Sequence, residues 1–238
     1  MKLNRRIIGL ALLAIVLILG CVRASIWQFD RYQVRHANNQ LIERNLAKSA
    51  IDESALSANA TSVAWRTINI SGNFIPEKEI LVRGRYHQET YGYGVVTLFR
   101  SSSGKSYWVD RGWVRAGEDA TTAPVTQKVT NEVTTITARV RIEGLERQVA
   151  GALFALPQGN GVSTLQRWNQ SQSTSTQSVY FDLVSSTNPK FTPKFPTEVP
   201  ELSDGPHLAY SFQWLLFALF VAFGWFLVMR EERRALKR

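Results

Sequence analysis

His207 is the residue of this chain whose surroundings are best suited to chemistry. It is one of 3 histidines, and Pro206 before it suits the first position of a helix. The sequence therefore predicts that His207 lies in the first turn of a helix. Tyr210 and Trp214 follow at positions i+3 and i+7, so their rings should share the helical face of the imidazole.

This face could hold a haem. A helix N-terminus disfavours a protonated imidazole, which keeps a ring nitrogen of His207 available to iron. The macrocycle could lie along the two aromatic rings, with its propionates directed toward nearby arginines. A second interpretation stays open, in which His207 is a polar residue at a membrane interface above a belt of aromatic side chains.

Two apolar segments at the ends of the chain must position this site. Leu208–Met229 is long enough, at about 1.5 Å per residue, to cross a hydrocarbon core of roughly 30 Å. Ile7–Val22 is shorter and reaches spanning length if the helix continues through Arg23 to Trp27, which would then lie at the interface. A signal-peptide core is the alternative interpretation of this first segment.

Charge predicts the orientation. The chain has 28 Lys and Arg, 19 Asp and Glu and a net charge of +9. Much of the excess positive charge lies before the first apolar segment and after the second, at Lys2, Arg5, Arg6, Arg230, Arg233, Arg234, Lys237 and Arg238. The positive-inside rule then predicts two cytoplasmic termini and an extracytoplasmic central domain. The charge is accounted for by topology, so nucleic-acid binding is not expected.

The predicted organisation has four parts. Residues 1–26 form a tail and the first transmembrane helix, 27–205 an extracytoplasmic domain, 206–229 the second transmembrane helix, and 230–238 a basic cytoplasmic tail. The few residues before the first apolar segment leave no room for an organelle transit peptide, so we expect a bacterial plasma membrane. Cys21, the single cysteine, excludes an intrachain disulfide and ends a stretch similar to a lipoprotein cleavage box. The preferred alternative is a small residue within a helix.

The central region is predicted to be α+β. A helix should run from Trp27 to about Lys48, because the segment lacks Gly and Pro. Short segments rich in β-branched and aromatic residues follow and are separated by turn residues such as Ser71-Gly72-Asn73. These predicted strands are Trp65–Ser71, Glu79–Arg83, Gly94–Arg100, Ser106–Val114, Val133–Ile142 and Ser178–Val184. Together they favour a mainly antiparallel barrel or sandwich, followed by an extended, proline-rich segment at Asn188–Glu201.

One strand carries the segment Arg111-Gly112-Trp113. Trp108 and Trp113 would point to opposite faces of an unbroken strand, and Gly112 predicts a bulge or a close backbone approach. The segment is either a structural corner with a paired arginine or a partner-binding site.

Catalytic motifs are missing from the sequence. There is no Gly-rich phosphate loop, no paired-histidine zinc motif and no nucleophile elbow. His87 is expected in a solvated hairpin loop and not as a catalytic base. We therefore predict a protein that is not an enzyme.

Four short motifs occur in an order that resembles the surfeit locus protein 1 family. They are Trp27-Gln28-x-x-Arg31, Gly72-Asn73-Phe74, Val109-Asp110-Arg111-Gly112-Trp113-Val114 and His207-Leu208-x-Tyr210-x-x-x-Trp214. Trp27, Gln28 and Arg31 could contact a partner subunit or lipid headgroups, or could serve in membrane anchoring. The chain departs from the family where Asp204-Gly205-Pro206 replaces a frequent Asn pair.

The resemblance implies an assembly factor for haem-copper cytochrome c oxidase that handles haem a for the catalytic subunit. His207 matches the family's candidate haem ligand, and Tyr210 and Trp214 would contact the ring. The implied partners are the oxidase catalytic subunit, haem a synthase as a further candidate, and membrane lipid. The alternative is a protein-only scaffold that assembles oxidase subunits without binding haem.

Overall fold

The computed structural model describes residues 5–57, 60–118, 122–143 and 163–235. The chain divides into two compact units, one made of Met1–Ala37 with Ser203–Arg238 and the other of Asn38–Leu202. Lys2, Lys237 and Arg238 of the predicted basic tails lie outside the described residues.

Two long helices supply most of the described residues of the first unit, and residues 38–46 at the end of the first helix belong to the second unit. Helix α1 is Arg5–Leu46 and helix α3 is His207–Ala235, and each is long and apolar enough to cross a membrane by length and composition. The predicted continuation of the first helix past Trp27 is confirmed, since α1 is one uninterrupted element. Cys21 lies inside it.

Small residues line the contact between α1 and α3. The hydroxyls of Ser25 and Ser211 lie 3.0 Å apart, and the Ser211 hydroxyl also donates to the Ser25 carbonyl at 3.1 Å. Ala14 and Ala218 are likewise buried. Paired hydroxyls can join two helices in an apolar setting. The contact between Ser25 and Ser211 fixes which face of α3 is turned toward α1.

The second unit is a closed β-barrel. Its strands are β1 Thr67–His87, β2 Thr90–Ser101, β3 Ser106–Arg115, β4 Val133–Ile142 and β5 Val179–Ser186. Their order around the barrel is β1-β2-β3-β5-β4. The β3–β5 pair is parallel and the other neighbouring pairs are antiparallel. The sequence predicted a mainly antiparallel barrel or sandwich, and the structure shows a barrel.

The predicted turn at Ser71-Gly72-Asn73 is wrong. Gly72 lies inside β1, where it pairs with β2 on one side and β4 on the other. A Cβ at this position would stand 2.1 Å from the Arg100 carbonyl oxygen and 2.8 Å from the Phe99 ring. Glycine is needed here for close packing, and the segments predicted as two strands form one strand with register shifts after Ile75 and Val82.

Alternating residues of each strand build two apolar clusters. Phe74, Phe99 and Phe181 belong to the larger one, whereas Trp108 belongs to a second cluster that is covered by Trp168. Trp168 lies on α2, Thr164–Ser171, a short helix capped by Ser163. The sequence did not predict α2, which is only 8 residues long and leads into the Ser-, Thr- and Gln-rich run 171–178.

Candidate functional site

His207 is the first residue of α3, so the predicted position in the first helical turn is confirmed. The Tyr210 amide donates to the Pro206 carbonyl at 3.0 Å, which places Pro206 directly before the helix instead of at its first position. Gly205 turns the chain into the helix with a φ of +67°. Asp204 accepts a hydrogen bond from His36 Nδ1 at 2.8 Å.

The imidazole of His207 is held by Gln28. Its Nδ1 donates to the Gln28 side-chain carbonyl oxygen Oε1 at 2.7 Å. An amide oxygen can only accept, so the proton of the neutral imidazole lies on Nδ1 and the lone pair lies on Nε2. A partner that fixes the tautomer and direction of a histidine ring in this way is typical of metal-ligating histidines. The contact brings two of the sequence motifs together.

The predicted aromatic face of α3 is open. The relative exposure of Tyr210 is 46% and that of Trp214 is 36%. Ser211, between them, faces α1 and is buried. Since Ser211 sets the rotation of the helix, the two rings remain accessible beside the imidazole, and a flat apolar molecule could contact them.

Two cationic side chains of α1, Arg31 and Arg35, lie near enough to His207 to act on it electrostatically. The Arg31 guanidinium lies over the Trp27 ring, 5.6 Å from its centroid. Arg35 Nη1 lies 3.0 Å, and His207 Cδ2 3.7 Å, from the point that a Cβ on Gly205 would occupy. Arg35 and His207 therefore flank Gly205, and a side chain there would press on the arginine. These guanidinium groups could bind carboxylates.

Arg111 belongs to the barrel unit, where it is buried and paired. Its Nη1 donates to Glu79 Oε2 at 3.0 Å and to Thr97 Oγ1 at 3.3 Å, and Nη2 donates to the Gln127 carbonyl. Burial lowers the pKa of Arg111, and the neighbouring Glu79 opposes that shift. The paired carboxylate keeps the buried guanidinium charged.

Gly112 makes the predicted bulge in β3. The register shifts opposite this residue and its φ is +94°. A Cβ here would stand 2.2 Å from the Phe195 carbonyl oxygen, which accepts the Trp113 backbone N–H at 2.8 Å. The absence of a side chain at Gly112 thus makes room for the backbone of Phe195 beside β3.

The sequence did not predict two buried ion pairs in the barrel unit. Arg85 contacts Asp110 at 2.8 Å, and Arg141 contacts Asp182. Asp110 and Asp182 are partners in the parallel β3–β5 ladder. Burial raises the pKa of Asp110, and Arg85 counteracts that shift. Trp108 and Asp110 are two positions apart in β3 and so share one face of the strand, which was the available sign of a buried carboxylate. The arginine partners lie far away in the sequence and could not be assigned from it.

His87 is not in the solvated loop predicted for it. It ends β1, directly before a tight turn in which Gln88 and Glu89 adopt positive φ. Its ring lies 4.9 Å from the Phe195 ring and 5.4 Å from the Trp113 ring. In the part of the chain that the structure describes, no group of three or more His, Cys, Asp or Glu side chains could hold a metal ion.

In chain order, the described residues define a protein in which a β-barrel follows one candidate membrane helix and precedes another, and this second helix begins with an oriented histidine. The SURF1 family profile matches residues 15–219. The chain belongs to the SURF1 family, as its motifs predict.

Relatives with this family name occur in several bacteria. Uncharacterized SURF1-like proteins of Mycobacterium bovis and Mycobacterium tuberculosis are 26% identical over 219 residues, which cover 89% of this chain and 79% of each relative. A SURF1-like protein of Rickettsia bellii is 31% identical over 94 residues, covering 39% of this chain and 38% of the relative.

Proposed function

We propose that this protein is a membrane-bound assembly factor for haem-copper cytochrome c oxidase that holds haem a on His207 on its way to the catalytic subunit. Membership of the SURF1 family, which is known for oxidase assembly, supports the general role. The haem-carrying step rests on the residues around His207.

The hydrogen bond between His207 and Gln28 carries this proposal. At 2.7 Å it directs Nδ1 inward to an acceptor, which makes Nε2 the nitrogen able to ligate iron. A ligand role needs an acceptor behind the imidazole, and Gln28 supplies one.

The remaining side chains fit the cargo. Haem a joins a broad apolar ring to two carboxylates, and the exposed rings of Tyr210 and Trp214 could contact the ring. Arg31 and Arg35 could bind the carboxylates. Ligation through one histidine suits a carrier, because a cargo held by few bonds can be released to its acceptor.

The proposed setting is a bacterial plasma membrane with both termini in the cytoplasm and the barrel outside it. The apolar stretches of α1 and α3 support a membrane location, and the flanking arginines support the orientation. The proposed partners are the oxidase catalytic subunit and a source of haem a, with haem a synthase as a candidate. The proposed role requires no catalysis by this chain.

A protein-only scaffold is the second candidate, and one observation favours it. The contact between His207 and Gln28 also joins the first turn of α3 to α1, which would stabilise the helix pair without any haem. Under this alternative the histidine is structural.

A complementation experiment separates the two. Strains that produce His207→Ala, His87→Ala or wild-type protein at equal levels would be compared for haem a per oxidase catalytic subunit. His87 is a matched control because it lies in the barrel unit. A haem carrier predicts that only His207→Ala leaves catalytic subunit poor in haem a. A scaffold predicts normal haem content in every subunit that accumulates.

A further inference from the structure

A cavity of about 760 Å³ lies in the barrel unit, and none of the residues proposed to hold haem lines it. One wall is the end of β3 from Arg111 to Arg115, a second is the β1–β2 turn, and the others come from residues 125–127 and 192–195. Pockets of this size bind small organic molecules.

Hydrogen bonds fix the walls of the cavity. Phe195 is held by the Trp113 amide at 2.8 Å. Gln127 Nε2 donates to the Thr192 carbonyl at 3.2 Å, and the Gln127 carbonyl accepts from Arg111. The cavity is therefore formed before any ligand arrives, which lowers the ordering cost of binding.

The charge of the cavity is positive. Arg111, Arg115 and Lys194 line it, and no Asp or Glu is among its described lining residues. Glu79 balances the Arg111 charge at 3.0 Å. Arg115 and Lys194 form no ion pair with a residue in the described ranges, so their charges are available to an anion.

Arg111 adds a second, independent indication. Its relative exposure is 6%, and its Nε has no hydrogen-bond partner within the described chain. A buried guanidinium N–H without an acceptor is costly. An oxyanion that reached this N–H from the cavity would supply the missing acceptor.

The rest of the lining is apolar. The Trp113 and Phe195 rings pack edge to face with centroids 5.5 Å apart. Val125 lines the same cavity and is 92% exposed. An exposed valine in the same cavity as two rings provides apolar surface that a flat ligand could cover.

From the cationic and aromatic lining we infer that this cavity is a binding site for a small organic anion, a carboxylate attached to a flat apolar body. The carboxylate would lie near Arg115 and Lys194, and the apolar body would contact Trp113 and Phe195. The site uses the bulge at Gly112, because that bulge brings Phe195 beside Trp113.

Calorimetric titration of the full-length protein in detergent tests this site with three probes. 2-Naphthoate has both features, 2-naphthamide keeps the ring without the charge, and acetate keeps the charge without the ring. We expect 2-naphthoate to bind at least about tenfold more tightly than either, because charge-assisted hydrogen bonds and ring contacts act together. Equal affinity for 2-naphthoate and 2-naphthamide would overturn the assignment of an anion site.

Two variants locate the binding. Arg115→Gln with Lys194→Gln removes two exposed charges and leaves the buried Arg111 intact, so the barrel should fold normally. We expect at least about tenfold weaker 2-naphthoate binding, against no change in Lys105→Gln, an exposed lysine of the β2–β3 turn. If the Arg115→Gln, Lys194→Gln double variant binds 2-naphthoate as tightly as Lys105→Gln does, any binding occurs elsewhere and the site is refuted.

Discussion

Substitution of Gln28 by Leu tests whether the hydrogen bond to His207 orients a haem ligand. Leucine has a similar volume but no acceptor, so the 2.7 Å bond to Nδ1 is lost and the ring can rotate or change tautomer. Loss of a partner behind a metal-ligating histidine typically weakens metal binding by about 10- to 100-fold, or roughly 1.4 to 2.8 kcal/mol. Gln28→Leu should bind haem a with an affinity reduced by this amount.

Titration of haem-free protein in detergent with haem a, followed by absorption, measures the effect. Gln33→Leu is the matched control, because Gln33 is an exposed glutamine of the same helix, and its affinity should equal that of wild type. Gln28→Glu retains an acceptor and should bind nearly as tightly as wild type. The orienting role is refuted if Gln28→Leu binds like wild type while His207→Ala does not bind.

Three further outcomes follow from the fold. Gly112→Ala should lower the free energy of unfolding by about 2 to 3 kcal/mol, because a left-handed alanine costs about 1–2 kcal/mol and the Trp113–Phe195 hydrogen bond is lost as well. Gly104 has a φ of +86° and open space around it, so Gly104→Ala should lose only the backbone contribution of about 1–2 kcal/mol. Denaturant titration measures both variants, and equal losses would contradict the close approach of Phe195 to Gly112. In a Cys21→Ser background, the double variant Ser25→Cys and Ser211→Cys should form a disulfide on oxidation, since the two serine hydroxyls lie 3.0 Å apart. Mass spectrometry should detect the linked peptides, and their absence would contradict the contact between α1 and α3. A fluorescent-protein fusion at the C-terminus should fluoresce and an alkaline phosphatase fusion there should be inactive, whereas the reverse would contradict a cytoplasmic terminus.

Local patterns predicted much of the architecture. The two apolar helices follow from length and hydropathy, and β4 has the predicted bounds Val133–Ile142. The bulge at Gly112 was also predictable, because the spacing of Trp108 and Trp113 does not suit an unbroken strand. These features depend on residues close together in the chain.

Features that depend on distant residues were missed. Gly72 looks like a turn residue, and only the Phe99 ring and the Arg100 carbonyl packed against it explain its place inside a strand. Gln28 and His207 are 179 positions apart, so their individual motifs gave no sign of contact. The cavity beside Trp113 likewise requires the path of the segment around Phe195, which sequence pattern alone does not define.

The absorption spectrum of the purified protein tests the central claim most directly. The protein would be isolated in mild detergent from cells that make haem a, beside His207→Ala and the control His87→Ala. We predict a haem a spectrum in wild type and His87→Ala that is lost in His207→Ala. Haem a present equally in all three would contradict His207 as the ligand, and no haem in any of them, with folded protein and active oxidase in the same membranes, would contradict the carrier.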